Sequence, residues 1–331
     1  MRARRIPAEL TGCACACAAL ACAALAAAAA VSSTGTAGRS TAGASHQCED
    51  PAALVLVVQG STLCAAIDDP ERSVPSTLLL RVWIERSARI VAGYYARFPA
   101  PRLELRIHVT PGSEVHGGRT TNDSRLMIEV SVGRGATAED LAADWVLVHE
   151  MVHLALPEIG PRHNWLAEGL ATYVEGIARA RFGNRAVADV WSEYRRAMPL
   201  GLPHEGEGGM DQTATWGRTY WGGALFCLQA EIDIRTETRN RIGLQTALRA
   251  ILDETQGFGA ERRIEEVLRI GDAATGTQVL QDLYRQSKST PLKPDLEAWW
   301  TRLGIPNDPK TQPFDDRAPL AAIRIAITAP R

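Results

Sequence analysis

Two histidines one helical turn apart, His149 and His153, constrain the fold more than any other feature of the sequence. They stand in a segment whose apolar residues recur with helical spacing. Residues four apart share a face of an α-helix, so both imidazoles point to the same side. A capping-box pattern begins at Thr137, and Pro157 follows the last apolar residue. The pattern therefore predicts a single helix over about residues 137–156.

The residue after the first histidine is Glu150, which completes a His-Glu-x-x-His pattern. Two imidazoles at this spacing are typical ligands of one zinc ion. Glu150 projects from another side of the helix, where its carboxylate reaches a water molecule beside the metal without joining the ligands. The pattern predicts His149 and His153 as metal ligands and Glu150 as a catalytic base.

A third ligand is expected from a second helix, which begins near Trp165 after the break at Gly160-Pro161. A short reversal between the two helices turns the carboxylate of Glu168 towards the histidines, which completes a site of two histidines and one carboxylate. The next residue, Gly169, costs about 1 kcal/mol relative to alanine inside a helix, so its presence indicates that two helices approach closely there. The alternative for Glu168 is a solvated acid in the first turn of the helix.

The sequence leaves open whether three other residues near this pattern bind the metal or orient its ligands. His163 lies ten residues after the second histidine and is an alternative third ligand, or else a loop or cap residue. Thr172 and Glu175 follow the expected glutamate ligand by one or two turns. They either orient the metal histidines or belong to the surface of the helix.

The His-Glu-x-x-His pattern followed by Trp-Leu-x-Glu-Gly-x-Ala resembles the gluzincin metallopeptidases. This superfamily contains thermolysin, aminopeptidase N and the glycyl aminopeptidases, and the pattern is most similar to the bacterial peptidase MA-like domains. The resemblance implies a gluzincin-like catalytic domain that hydrolyses peptide bonds in a peptide or protein substrate. It implies Zn²⁺ as the cofactor, held by His149, His153 and Glu168.

The resemblance extends to the segment Thr219-Tyr220-Trp221-Gly222-Gly223, which is similar to the Tyr-x-Lys-Gly helix start of aminopeptidase-type members. In those members this tyrosine is catalytic. The resemblance therefore implies that Tyr220 donates a hydrogen bond to the oxyanion that forms on the substrate. Tyr173 is the rival donor, but it belongs to the helix of the expected ligand Glu168.

Two departures from the aminopeptidase pattern bear on the activity. Only fourteen residues separate His153 and Glu168, fewer than is usual in those members, so the rim of the cleft is expected to differ. The Gly-x-Met-Glu-Asn strand that grips the amino terminus of a substrate is missing, and the strand predicted at residues 126–132 offers only Met127-Ile128-Glu129. These departures favour an endopeptidase. The same strand is expected to run along the cleft, where an extended peptide adds as a further strand.

Two other classes of function fit the same residues. A catalytically weak, zinc-bearing binding or regulatory protein would keep the fold without useful turnover, although the intact Glu150 favours an enzyme. Hydrolysis of a non-peptide amide or ester would need the same groups as hydrolysis of a peptide bond.

The hydrophobic period changes along the chain from a strand pattern to a helix pattern. Apolar and polar residues alternate at 103–109 and 126–132, which predicts two half-buried strands separated by a polar loop at 111–124. A helix is predicted at 74–98, and nearly every segment over 137–303 has helical spacing. The predicted fold class is α+β, with a small N-terminal sheet packed on a mainly helical gluzincin-like catalytic domain. Residues 47–136 form its α/β part, residues 137–303 its helical zinc-binding part and residues 304–331 a proline-rich surface tail.

The first 31 residues have the pattern of a secretory signal peptide, with arginines, then an apolar run, then small residues. Residues 32–46 form a low-complexity linker. The chain is expected to be exported to the periplasm or the extracellular space, unless the apolar run stays uncleaved and anchors it in a membrane. Export permits disulfides, and Cys48 and Cys64 flank a predicted hairpin that brings them together. Cys227 lies in an apolar helical stretch and is expected to be a buried free thiol.

The composition excludes several other classes of protein. Hydrophobic residues make up 46% of the chain, charged residues 22%, and the formal net charge is −2. This apolar content excludes a disordered chain. The arginines are scattered and balanced by acidic residues, so no nucleic-acid partner is expected.

Overall fold

Five strands form one mixed sheet in the amino-terminal part of the described chain. The structure is a computed structural model that describes Cys48, residues 50–69 and residues 76–330. The predicted signal peptide (1–31) and linker (32–46) lie outside the described residues. The strands are β1 (Leu54–Val58), β2 (Ser61–Asp68), β3 (Arg102–Thr110), β4 (Val115–Thr121) and β5 (Met127–Gly133).

The order of the strands across the sheet is β1-β2-β3-β5-β4. The pairs β1–β2 and β4–β5 are antiparallel, whereas β2, β3 and β5 run parallel to one another. The two strands predicted from alternating apolar residues are confirmed as β3 and β5. Their inward side chains, among them Leu105, Ile107, Ile128 and Val130, are buried in the core.

The segment predicted as a polar loop, residues 111–124, is not a loop, because it contains the edge strand β4. None of the side chains of β4 is fully buried, so the strand carries no alternating apolar pattern. Its register with β5 shifts between His116 and Arg119, which places a bulge at Gly117-Gly118. An edge strand of this kind is invisible to hydrophobic periodicity.

Helix α1 (Thr77–Tyr95) covers one face of the sheet and confirms most of the helix predicted at 74–98. Its buried side includes Trp83, Ile84, Ile90 and Val91. Leu78 and Val82, two apolar residues of the same helix, are exposed. The helix begins at the N-cap Ser76, whose hydroxyl accepts a hydrogen bond from the amide of Leu79.

The rest of the described chain is mainly helical, which confirms the α+β fold class. The sheet lies before a series of helices joined by short connections, and no described helix has the length and apolar character needed to cross a membrane. The further helices are α2 (Ala138–Ala143), α3 (Val146–His153), α4 (Asn164–Arg181), α5 (Val187–Ala197), α6 (Gly223–Glu237), α7 (Leu244–Thr255), α8 (Ile264–Thr275), α9 (Val279–Ser287), α10 (Leu296–Leu303) and α11 (Ala321–Thr328).

The single helix predicted over residues 137–156 is in fact two helices, α2 and α3, which are separated at Asp144. The predicted capping box at Thr137 is confirmed at the start of α2. Asp144 has an extended backbone with ψ 139°, and its carboxylate accepts hydrogen bonds from the amides of Val146 and Leu147. An aspartate in this position starts a new helix, so the helix of the two histidines has its own N-terminal cap.

The carboxyl-terminal segment, residues 304–331, is more than a surface tail. It contains α11, whose side chains Ile323 and Ile327 are buried. This helix also fixes α4, because the guanidinium of Arg181 donates to the carbonyl oxygens of Ala326 and Ile327. Most of the proline and aspartate residues of the segment lie in the turns that precede the helix, and Asp316 pairs with Arg324 of the helix.

The predicted disulfide between Cys48 and Cys64 is present, and Cys227 is a buried free cysteine. Cys64 belongs to β2, and its Cα atom is 5.6 Å from that of Cys48. The bond therefore ties the chain before β1 to the second strand of the sheet. Burial raises the pKa of the Cys227 thiol well above its ordinary value, so this thiol stays protonated near neutral pH.

Alkylation of the denatured, unreduced protein without residues 1–31 should therefore label one cysteine per chain, Cys227. After reduction, the same chain should take up three labels, which mass spectrometry counts directly. Three labels before reduction would contradict the disulfide.

Candidate metal centre

Helix α3 carries the two histidines in the interior of the molecule, between α1, α4 and β4. His149 and Glu150 are buried, and His153 is half-buried. The opposite side of the helix is held by apolar residues such as Leu147 and Met151, which have no exposed surface. Packing on several sides fixes the direction in which the imidazoles point.

The two imidazoles and the carboxylate of Glu168 converge on one point, as the sequence predicts. The Nε2 atom of His149 lies 3.2 Å from Oε2 of Glu168, and the Nε2 atom of His153 lies 3.5 Å from the same oxygen. The ring centroids of the two histidines are 4.9 Å apart. Glu150 is close to both histidines, since one side-chain nitrogen or oxygen atom of each of His149, Glu150 and His153 lies within 4.8 Å of the others.

Glu168 reaches the histidines because α4 packs in direct backbone contact with α6. A Cβ atom added at Gly169 would lie 2.2 Å from the Cα atom of Gly223. A Cβ atom added at Gly223 would lie 2.0 Å from the carbonyl oxygen of Trp165. Neither position has room for a side chain, so the close approach predicted from Gly169 is confirmed.

The charge state of the site follows from these contacts. Burial alone would raise the pKa of Glu168, but hydrogen bonds from His149 and His153 outweigh it and hold the pKa well below its usual range. Burial alone would lower the pKa of His153, but the hydrogen bond and the charge of Glu168 raise it overall. Glu168 is therefore an anion at neutral pH and attracts positive charge to this point.

Glu150 is held by the edge strand β4 on the side away from Glu168. The hydroxyl of Thr120 lies 2.8 Å from Oε2 of Glu150 and 3.0 Å from its carbonyl oxygen. A Cβ atom added at Gly118 would lie 2.5 Å from Oε1 of Glu150, so the bulge of β4 leaves just enough space for the carboxylate. Thr120 and Gly118 were not found from the sequence, because the strand that carries them has no apolar pattern.

Tyr220 lies beside the histidines on a short π-helical turn, Arg218–Gly222, which leads into α6. Such turns are rare and occur often at functional sites. Its ring centroid is 6.3 Å from that of His149. Burial, together with the charges of Glu168 and Glu150, raises the pKa of Tyr220 to about 12, so the phenol keeps its proton.

The imidazole of His149 is packed by aromatic rings, whereas its Nδ1 atom has no polar partner among the described residues. Its Nδ1 atom is buried and has no hydrogen-bond partner among the described residues. Trp145 lies edge-on to the imidazole at a centroid distance of 5.6 Å, and Trp216 stacks on Tyr220 at 5.8 Å. Both tryptophans keep more than a third of their surface exposed, at 39% and 46%. Two exposed aromatic side chains therefore lie next to residues of the site.

The other candidate residues lie elsewhere. His163 contacts the carbonyl oxygen of Ile159 at 2.8 Å and the hydroxyl of Tyr284 at 3.3 Å, so it belongs to a separate polar cluster. Glu175 accepts a hydrogen bond from Arg179 and does not orient His149, whose free nitrogen has no acceptor. The buried Tyr173 stacks on Tyr194, away from the imidazoles. No described contact of Thr172 with the histidines supports its predicted role.

The strand predicted to run along the cleft is also corrected. Strand β5 pairs with β3 on one side and with β4 on the other, so it has no free edge. Glu129 lies on β5 with its carboxylate near the guanidinium of Arg106, 3.6 Å away. The strand beside Glu150 is β4, and it is the edge of the sheet.

Comparison with known proteins gives a structural likeness only. Neither a family model nor a curated protein matches the chain. The fold is similar to that of an aminopeptidase N family protein from Idiomarina loihiensis, with a TM-score of 0.58 and 11% sequence identity over 76% of this chain and 49% of that one. An M1 zinc metallopeptidase from Deinococcus radiodurans matches with a TM-score of 0.45 and 14% identity over 72% of this chain and 51% of that one.

The chain has the fold of the aminopeptidase N family protein. It spans about half the length of the solved structures that it matches. The likeness to the aminopeptidase N family protein is one of fold alone. At this level of identity, the likeness gives the arrangement of helices and strands and leaves the chemistry to the residues of the site.

The donor set and its spacing fit a zinc ion. Tetrahedral zinc holds nitrogen and oxygen ligands at about 2.1 Å, which sets neighbouring ligand atoms about 3.4 Å apart. The separations of 3.2 and 3.5 Å between Glu168 and the two imidazole nitrogens match this value. Two imidazoles and one carboxylate are also a common protein ligand set of catalytic zinc sites, which keep a further position open.

Purified protein should therefore contain about one zinc ion per chain. The double substitution of His149 and His153 by alanine should abolish the metal content measured by elemental analysis after dialysis against a mild chelator. His163→Asn is the matched control, because it changes a nearby histidine outside the cluster and should leave the zinc content unchanged. Full zinc retention in the double variant would contradict the assigned ligands.

Proposed function

We propose that this protein is an exported zinc metallopeptidase that hydrolyses internal peptide bonds. The observation that carries the proposal is the convergence of His149, His153 and Glu168 on one point beside Glu150. Glu150 itself bonds to Thr120 and leaves the metal ligation to the other three residues. A carboxylate placed in this way has the role of a proton carrier.

The chain supplies three functions around the metal. Zinc held by His149, His153 and Glu168 supplies Lewis-acid polarisation of the scissile carbonyl and lowers the pKa of water. Glu150 takes the proton of the attacking water and passes it to the nitrogen of the leaving amine. Tyr220 keeps its phenolic proton at neutral pH and donates a hydrogen bond to the oxyanion of the substrate.

The edge strand β4 supports a peptide as the substrate. An extended peptide adds to an exposed sheet edge through main-chain hydrogen bonds, and β4 passes directly beside Glu150. The sequence of β4, VHGGRTT, contains no carboxylate that would anchor a peptide amino terminus. The bulge residue Gly118 and the neighbouring Thr120 face Glu150 in its place. This composition supports cleavage within a chain rather than removal of its first residue.

The two exposed tryptophans support a preference for apolar side chains next to the scissile bond. Trp145 and Trp216 lie beside His149 and Tyr220 respectively. Exposed aromatic rings in a cleft provide large contact areas with little conformational entropy to lose.

Export is supported by the amino-terminal sequence and by the disulfide between Cys48 and Cys64. Disulfides form and persist in oxidising compartments such as the periplasm and the extracellular space.

The alternative function is that of a zinc-bearing binding or regulatory protein. Such a protein would use the same metal ligands and would differ only in having no useful turnover.

Replacement of Glu150 by glutamine should lower turnover of a peptide library by a factor of about 10² to 10⁴, because the amide keeps the shape but accepts no proton. Zinc content should stay at the wild-type level. If wild type and variant both bind zinc and neither cleaves any peptide, the binding-protein alternative replaces the peptidase.

Thr120 provides a finer test of the same base. Thr120→Val removes the donor to Glu150 and should lower kcat about tenfold, whereas Thr120→Ser keeps the hydroxyl and should stay near wild type. Equal rates for the two variants, at equal zinc content, would show that the hydroxyl does not position Glu150.

Tyr220→Phe should lower kcat by about a hundredfold or more, since removal of one oxyanion donor has effects of this size. Tyr173→Phe is the matched control, because this tyrosine is buried on α4 and should leave kcat unchanged. Zinc content and melting temperature should be measured for both variants. An unchanged rate in Tyr220→Phe would limit this residue to packing.

A further inference from the structure

The π-helical turn that carries Tyr220 interrupts a longer helical stretch. The turn, Arg218–Gly222, is preceded by helical backbone at Trp216 and continues into α6. A π-helical turn closes its hydrogen bonds over one residue more than an α-helical turn. Because one residue advances an α-helix by about 100°, relaxation of the turn to an α-helix would rotate the side chains at its start by up to that angle. The direction of Tyr220 therefore depends on what holds the turn in the π form.

The segment Met198–Gly201 packs on this turn backbone to backbone. It follows α5 directly, and the side chain of Met198 is fully buried. A Cβ atom added at Gly201 would overlap the backbone of Trp221. A Cβ atom added at Gly217 would overlap the carbonyl oxygen of Leu200. Since neither contact leaves room for a side chain, the position of the segment fixes the position of the turn.

Arg218, the first residue of the turn, bonds the turn to this segment. Its exposed fraction is 3%, and its Nη1 atom donates to the carbonyl oxygen of Gly201 at 2.7 Å. Its Nε atom lies 3.8 Å from Oε2 of Glu207, which forms an ion pair with it. The same carboxylate oxygen accepts a hydrogen bond from the amide of His204 at 3.0 Å. The charge of the buried arginine is thus balanced within the loop that follows the segment.

The phenol ring of Tyr220 lies beside two other rings. Its centroid is 5.8 Å from that of Trp216 and 6.3 Å from that of His149, with interplanar angles of 29° and 25°. Tyr220 follows Arg218 by two residues within the same turn. The described contacts of the guanidinium are with Gly201 and Glu207, so its effect on the phenol passes through the backbone of the turn.

We propose that Arg218 is a positioning residue, which holds the π-helical turn against Gly201 and thereby directs the phenol of Tyr220 towards the candidate metal centre. The assignment rests on the proposed role of Tyr220 as the oxyanion donor, and it gives the guanidinium no chemical role of its own. Position matters here because a donor must come within about 3 Å of the oxyanion. A misplacement of about 1 Å can lower a rate about a hundredfold.

Isotope labelling of the tyrosine rings tests the position of Tyr220 by nuclear magnetic resonance, without any need for turnover. The chain contains 6 tyrosines, and the signal that is lost in Tyr220→Phe identifies the ring of interest. Ring currents of Trp216 and His149 make the chemical shift of this ring sensitive to its position. Arg218→Met should move the signal. An unmoved signal in folded Arg218→Met would overturn the proposal.

Arg324→Met is the matched control. Arg324 is also 3% exposed, its Nη1 atom donates to the carbonyl oxygen of Gly304 at 2.9 Å, and it pairs with Asp316. Its replacement removes the same kinds of contact from α11 and should leave the Tyr220 signal and kcat unchanged. Equal effects of Arg324→Met and Arg218→Met on the signal would indicate a general loss of stability and refute the positioning role.

Gly201→Ala provides a second variant if Arg218→Met does not fold. The added methyl group should displace the segment from the turn while the arginine stays intact, so the Tyr220 signal should move in this variant as well. An unmoved signal in folded Gly201→Ala would also overturn the proposal.

Kinetics test whether the arginine acts through the phenol. Arg218→Met should lower kcat about tenfold or more, with zinc content and KM near wild type, because the metal ligands and the sheet edge stay in place. Arg218→Lys keeps the charge and a donor for Gly201 and should recover most of the rate. In the Tyr220→Phe background, Arg218→Met should have no further effect. An equal loss in both backgrounds would show that Arg218 acts independently of Tyr220 and contradict the proposal.

The positioning role and the oxyanion role fail separately in these experiments. An unchanged rate in Tyr220→Phe refutes the oxyanion role, whereas an unmoved ring signal in folded Arg218→Met refutes the positioning role.

Discussion

The backbone contact between α4 and α6 at Gly169 and Gly223 is the constraint on which the arrangement of the site depends. Glu168 immediately precedes the first glycine, and the turn that carries Tyr220 immediately precedes the second. A single contact without side chains therefore sets the positions of the proposed metal ligand Glu168 and of the proposed oxyanion donor Tyr220 together. A methyl group at either glycine would overlap backbone atoms of the other helix. The two helices would then have to separate, and Glu168 and Tyr220 would move away from the histidines.

The edge strand of the sheet positions the proposed catalytic base, Glu150, in a similar way. Glu150 lies on α3, but its carboxylate is bonded to Thr120 of β4. The same strand has a bulge at Gly117-Gly118 and leaves its outer edge open for a peptide. The proposed base is thus hydrogen-bonded to the strand that is proposed to bind the substrate, an arrangement that would keep the scissile bond and the proton acceptor in a common frame.

The sequence predicts the parts of this molecule that repeat a local pattern. The positions of His149 and His153 follow from helical spacing, and the arrival of Glu168 follows from a second helix with a glycine at its contact. The α+β class and strands β3 and β5 follow from alternation of apolar residues. Each of these features depends on a repeat within its own segment of the chain.

The features that the sequence does not reveal depend on long-range contacts. Strand β4 buries no side chain fully, so its pairing with β5 leaves no periodic trace, and Thr120 is recognised only through its contact with Glu150 thirty residues away. The break at Asp144 is not predicted from the sequence, because the apolar residues keep their helical spacing on both sides of it. The carboxylate of Asp144 also accepts a hydrogen bond from the indole of Trp83 on α1, 61 residues earlier.

The short connection between His153 and Glu168 is compatible with a precise site because a polar cluster fixes the start of α4. Asp211 accepts hydrogen bonds from the indole of Trp165 at 2.9 Å and from the hydroxyl of Tyr284 at 2.8 Å. Trp165 lies one helical turn before Glu168, so this contact sets the rotation of α4 at the ligand. The amides of Met210 and Asp211 also donate to the carbonyl oxygens of Ser287 and Lys288. The loop that holds the start of α4 is thus itself fixed by main-chain hydrogen bonds to the end of α9 and the residue after it.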